Sequence, residues 1–171
     1  MNQWTNILNR IWYYLEEGPQ SEAITQVFPK ANRYHYGSDE IEAMPPENVN
    51  QPVLIVDQTG GHIELDYPPA YIKAQEEYQI TVWAASVDLQ NINDLRHRVL
   101  RAINSGLPDF GLDDVLDVKI RTGRVTLAPD KIERDADGRL MQWRKDLHKI
   151  RQRAVLLELL VTFLIERSEL E

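Results

Sequence analysis

The chain contains no cysteine. That absence excludes disulfide frameworks, thiolate zinc sites, iron–sulfur clusters and cysteine nucleophiles, and it suits a protein made in a reducing compartment. Glycine is also scarce, eight in 171 residues, and none of them forms GxGxxG or GxxxxGK[ST]. The junction "QITVWAASVDLQNIN", where a strand should hand over to a helix, therefore lacks the glycines that let backbone amides close on a phosphate, and Asp88 stands where a donor would be wanted. Long apolar runs are missing too. The longest, Ala154 to Ile165, is broken by Glu158 and Thr162 and falls short of the roughly 20 residues that cross a bilayer. The N-terminal "MNQWTNILNRIWYYLEEGPQ" has no basic segment followed by an apolar stretch and a cleavage site, so no secretory signal is expected. Positive charge is in deficit, 19 Lys and Arg against 27 Asp and Glu, a net −8. This opposes a protein whose main task is to grip nucleic-acid backbones.

Catalytic signatures are lacking as well. His35, His62, His97 and His148 are scattered, with no HExxH spacing. Ser38, Ser86 and Ser105 lie in no GxSxG elbow. Glu76-Glu77 and Asp113-Asp114 are adjacent pairs, whose side chains point apart in a helix or strand. "DADG", Asp135 to Gly138, has the start of a calcium loop but not its later oxygen ligands, and reads as a tight turn. No catalytic, cofactor-binding or metal-binding residue is expected, and no enzymatic activity.

What is present is a chain of one-domain length, residues 1–171, with clear local periods. Trp4, Ile7, Leu8, Ile11, Trp12 and Leu15 repeat at helical spacing, and Gly18-Pro19 should end that helix, with Gly18 in the left-handed cap conformation. A short helix or turn follows at Glu22 to Val27. "PVLIVD" reads as a short strand ending near Asp57, "QTGGH" as a turn, and "HIEL" as the return of a hairpin. Tyr78, Ile80, Val82 and Ala84 alternate as a half-buried strand. Ile92, Leu95, Val99, Ala102 and Ile103 mark a second long helix with Asn91 as its N-cap, and Arg96, Arg98 and Arg101 read as its solvated face with an Asp94 to Arg98 pair. "VLDVKIRTGRVTLA" alternates through Leu116, Val118 and Ile120 and should bend near Gly123. The run to Ile165 fits strand better than helix, because "LVTFLI" is rich in β-branched and aromatic residues and sets Thr162 opposite Val161, Phe163 and Ile165. The expected fold is α+β: a small mixed or antiparallel sheet, an N-terminal helix and a second helix packed on it, and extended loops at 29–52, 58–77 and 129–153.

Those loops carry Tyr34, Tyr36, Tyr67, Tyr71 and Trp143. Aromatic residues on loops are typical interface anchors, and they can also fold back as a satellite core. The last loop is basic as well: Lys131 to Arg153 holds eight Lys or Arg and four Asp or Glu, a local +4 in an acidic chain. Such asymmetry suits head-to-tail association, the basic segment of one copy facing the acidic body of the next.

The order helix, loop, strand, strand "YQITVWA", helix "NINDLRHRVLRAI", strand "LDVKI" and final strand "LLELLVTFLI" resembles the phage tail-completion or tail-terminator (head-tail joining, neck) proteins. The likeness spans most of the chain and rests on element order and the strand–helix junction. It implies a non-enzymatic virion subunit, in the host cytoplasm before assembly, that forms a ring, commonly of six copies. The ring caps the tail tube and joins it to the head-tail connector. Its implied partners are itself, the tube and connector proteins, and a sheath if the tail contracts. DNA passes through without specific binding, and no membrane is involved. On this reading Tyr34, Tyr36, Tyr67, Tyr71 and Trp143 are contact residues, and Arg144, Lys145 and Lys149 supply charge complementarity. The competing readings are a monomeric protein-binding adaptor and a small enzyme without a recognisable motif.

Overall fold

Strand β6, Ile150–Glu166, is the longest element, and its register sets that of the strands on both sides. The computed structural model describes residues 2–35, 52–65, 67–84, 88–123, 126–129 and 150–170. Before β6 the chain forms α1 (Gln3–Glu16), α2 (Glu22–Thr25), β1 (Arg33–His35), β2 (Val53–Glu64), β3 (Tyr71–Ala84), α3 (Leu89–Asn104), β4 (Val115–Thr122) and β5 (Thr126–Pro129). The sheet runs β1-β2-β3-β6-β4, and β5 continues beyond β4 along the same side of β6. Only β1 and β2 pair in parallel; the other pairings are antiparallel. Since β3 and β4 both oppose β6, they run parallel to each other, and α3 joins them as a split β-α-β unit with β6 inserted. The fold is α+β, as the periods predict.

The helices lie on one face of the sheet. That face carries Leu54 and Val56 of β2, the even residues Ile72 to Ala84 of β3, and Val155, Leu157, Leu159, Val161, Phe163 and Ile165 of β6, all buried. In β6 these alternate with half-buried Leu156, Leu160, Thr162 and Leu164, so the period of two is real although nearly every residue is apolar. At the end nearest α3 the opposite face is buried too, through the row Val53, Trp83 and Ala154. Burial on both faces explains why "PVLIV" and "TVWA" read as continuous apolar runs.

α1 buries Ile7, Ile11, Trp12 and Leu15 and rests Trp4 and Leu8 against the same core; α3 buries all five residues of its predicted stripe. The Asn2 side chain caps α1 by accepting the Thr5 N–H at 2.9 Å. Several boundaries differ from the expectations. Asp88, not Asn91, caps α3, its carboxylate accepting the Gln90 N–H at 3.0 Å, so the chain's own anion fills the helix end. Asp94 accepts from Gln90 rather than pairing with Arg98, which donates to the Ala23 carbonyl. Gly18 is not left-handed: its N–H and that of Glu17 share the Tyr13 carbonyl, and a β-carbon there would press within 3.0 Å of the Tyr14 backbone. Close packing on the helix fixes that glycine.

The largest correction concerns 58–77. "QTGGH" is not a hairpin turn but a β-bulge within one continuous β2, with the register shift between Gln58 and Gly60 and Gly60 at φ +117°. "YIKAQEE" is likewise the first half of β3, paired with β6 throughout and with β2 from Lys73 on. The adjacent prolines end just before it.

Gly61 is the tightest point of the bulge, because a β-carbon there would lie 1.8 Å from the Gln75 carbonyl oxygen, whereas one on Gly60 would meet open space. Gly61→Ala is expected to cost about 3 kcal/mol in urea unfolding, and Gly60→Ala only about 1 kcal/mol for its backbone conformation. Equal costs would contradict this register.

Candidate protein interface

Of the eight residues expected at an interface, Tyr36, Trp143, Arg144, Lys145 and Lys149 lie outside the described residues. Tyr34 is not a loop residue. It is the middle of β1, opposite Ile55, and is buried within the chain, so the folded-back alternative holds for it. Tyr67 and Tyr71 flank the turn into β3, Tyr67 half-buried and Tyr71 36% exposed.

Tyr71 has company. Seven large apolar side chains are exposed among the described residues, and five of them, Ile63, Leu65, Tyr71, Leu116 and Leu170, gather at one end of the sheet. Register places them there. Ile63, Ala74, Phe163 and Val115 form one row across four strands, about 14 Å wide at the usual strand spacing. Leu116 follows Val115, and Tyr71 pairs with Glu166 shortly before Leu170. Arg167 ties this end together: its backbone N–H donates to the Ala70 carbonyl at 3.1 Å and its guanidinium to the Leu65 carbonyl at 2.6 Å. These exposed side chains form a rim around the sheet end, Ile63 on the helix face and Tyr71 and Leu116 on the other, and such groups mark partner surfaces more than single scattered apolar residues do. Beside it, on the face away from the helices, lies a polar hollow of about 340 Å³ lined by His62, Glu64, Tyr67, Lys73, Asp117 and Lys119. Lys73 bridges it, 3.2 Å from Glu64 and 5.8 Å from the centre of the Tyr67 ring.

A second concavity, about 520 Å³, opens on the helix face between α1 and the β2 bulge. β1 pairs only with Leu54 to Val56, and the bulge sets Gly61 opposite Glu76, so no β2 side chain stands directly across from that carboxylate. Glu76 is nonetheless 6% exposed. Its Oε2 accepts the Trp4 indole N–H at 2.9 Å, which among the described residues is its one hydrogen bond. The Trp4 ring meets Phe163 edge-on at 5.6 Å, and the Trp4 carbonyl accepts the Tyr78 hydroxyl at 3.0 Å. Burial, with the Glu76 charge as a second cause, pushes the Tyr78 phenol far above its ordinary range. Trp12 also lines this cleft, is 5% exposed, and has a buried indole N–H with no acceptor among the described residues. Sequence reasoning missed Glu76 by treating it only as half of an adjacent Glu76-Glu77 pair whose side chains point apart. The signal was available: extending the alternation of Tyr78, Ile80 and Val82 backwards puts Glu76 on the inner face.

At the mouth of the cleft the His35 ring stacks on Trp12, 3.6 Å apart and within 3° of parallel. The Glu16 carboxylate joins His35 Nε2 at 3.2 Å and the Arg33 guanidinium at 2.8 Å. Burial of Glu16 pushes its carboxyl up, but the hydrogen bonds and charges of His35 and Arg33 outweigh it and hold the group below its usual 4.5.

No protein-family model matches this chain, and no curated protein matches it either. Among the described residues no cluster of three or more His, Cys, Asp or Glu could hold a metal ion, and no helix is long and apolar enough to cross a membrane.

Two outcomes follow for this region. Trp4→Phe keeps the ring against Phe163 but leaves the Glu76 carboxylate without its donor, and is expected to lower unfolding stability by about 2 kcal/mol; an unchanged urea midpoint would refute the bond's importance. A carboxyl depressed by folding adds stability that is complete above its usual value and lost as pH falls through its folded value. Stability should therefore decline as pH drops below about 4.5, and Glu16→Gln should flatten that decline. A variant with the wild-type acid profile would contradict the assignment.

Proposed function

We propose that the protein is a structural subunit of a phage tail terminator: a ring of copies that closes the end of the tail tube and connects it to the head-tail connector. The observation that carries this reading is the apolar rim at one end of the sheet. A subunit that stacks on the end of a tube needs an end-on apolar surface with polar surroundings, and Ile63, Leu65, Tyr71, Leu116 and Leu170 supply one beside charged Lys73, Glu64 and Asp117. The likeness in element order adds a second, independent support. Head-to-tail contacts close into a ring when the rotation per copy closes, so the acidic body and the basic 131–153 segment suit adjacent copies. An acidic surplus also suits a lumen through which DNA slides. The reading assigns the protein no reaction.

The test mixes the protein with tail tubes and examines tube ends by electron microscopy. Wild type is expected to add density at one end, and Leu65→Asp/Leu116→Asp to lose it while keeping its melting temperature, since both positions are exposed. Bare tube ends with wild type would contradict the proposal.

A further inference from the structure

We propose that the cleft between α1 and the β2 bulge receives an arginine from the basic stretch 131–149 of a second copy, with Glu76 as its anchor. The inference rests on the self-association in the proposed function and names the contact that carries it.

The argument starts from an imbalance. A carboxylate buried as deeply as Glu76 ordinarily keeps an opposite charge or several donors, because removing it from water costs several kcal/mol otherwise. Glu76 has one neutral indole donor. In the same cleft the buried Trp12 N–H has no acceptor among the described residues. The indole N–H is the buried group left without a partner, while the second Glu76 oxygen is not buried in that way and lines the cleft, so the site suits a cation with directional donors and, beside it, an acceptor. An arginine residue of a peptide provides both, its guanidinium for the carboxylate and a backbone carbonyl for the indole. The stacked Trp12 and His35 rings provide a flat apolar wall of the sort against which guanidinium groups lie.

Other occupants fit less well. A metal ion would want several anionic or imidazole ligands, and no such cluster exists among the described residues. The volume, about 520 Å³, suits a large side chain with part of its backbone. The second copy is favoured by charge: the stretch 131–149 before β6 holds six Lys or Arg against four Asp or Glu in a chain of net −8, including Arg134, Arg139 and Arg144. Gly60 acquires a purpose on this account, since it adds no side chain to the cleft wall that Asp57, Gln58 and Thr59 form.

The test follows the native mass of the full chain by light scattering over a concentration series. Glu76→Gln keeps an acceptor for Trp4 and removes the charge; Arg139→Ser/Arg144→Ser/Lys145→Ser weakens the segment. Each alone is expected to weaken association by about thirtyfold or more. Mixed together they should form a dimer, because the intact cleft of one meets the intact segment of the other. Should Glu76→Gln fail to fold, Thr59→Lys places a repelling charge at an exposed position lining the cleft and is expected to weaken association in the same way. Undiminished association of the folded Glu76→Gln or Thr59→Lys protein, or a mixture that stays monomeric, overturns this inference and leaves the ring reading standing. A wild-type chain that never associates overturns both.

Discussion

The pairing of β3 with β6 is the constraint on which the rest of the molecule depends. It runs without a register break from Tyr71 opposite Glu166 to Ala84 opposite Arg153. One slip by a residue would turn Ile72, Tyr78, Ile80 and Val82 away from the helices and bring Lys73, Gln75, Glu77 and Gln79 in. The long pairing joins segments far apart in sequence, so the loops between them are closed only when the sheet forms. β2 then adds to one side and β4 to the other, and α1 and α3 have a continuous apolar floor to cover.

Both surfaces of interest are consequences of that sheet. At one end of the sheet Ile63 and the following Leu65, and on the face away from the helices Tyr71 and Leu116, are left exposed, while Ala74, Phe163 and Val115 between them stay buried. The bulge at Gln58 to Gly61 deforms the β2 edge where α1 crosses it, and there the inner row of β3 includes a carboxylate rather than an alkyl group. A leucine at 76 would satisfy the core. The glutamate instead takes a hydrogen bond from Trp4 and leaves one side of the helix–sheet seam polar. Buried polar groups of this kind specify an arrangement at some cost in stability, and here they also supply the charge to which a partner can attach.

Much of the fold was legible in the sequence because its signals were periodic. The helical stripes of α1 and α3 and the alternation at Val161, Thr162 and Phe163 all correspond to observed faces. What escaped was hidden by local exceptions. "TGG" has the composition of a turn, and only pairing with β3, with Gly61 pressed against Gln75, turns it into a bulge. "YIKAQEE" falls in the expected loop because the adjacent Pro68 and Pro69 forbid helix and central strand, yet they end just before β3 begins. Of the expected aromatic contacts, Tyr34 is a strand residue in the interior, while Tyr67 and Tyr71 do lie at the exposed sheet end. Loop composition alone does not separate those cases, since burial of a tyrosine depends on which strand its loop returns to. The rim of Ile63, Leu65, Leu116 and Leu170 was illegible for a simpler reason: isolated leucines and isoleucines carry no sign of exposure until register brings them together.

The measurement that bears most directly on the account is whether the unmodified protein closes into rings. Its native mass across a concentration series, with particles imaged from the same fractions, should converge on one closed oligomer, about six copies, rather than on a ladder of growing sizes. A monomer or an open-ended series at every concentration, with no rings in the images, would contradict the assignment of this protein as a ring-forming terminator.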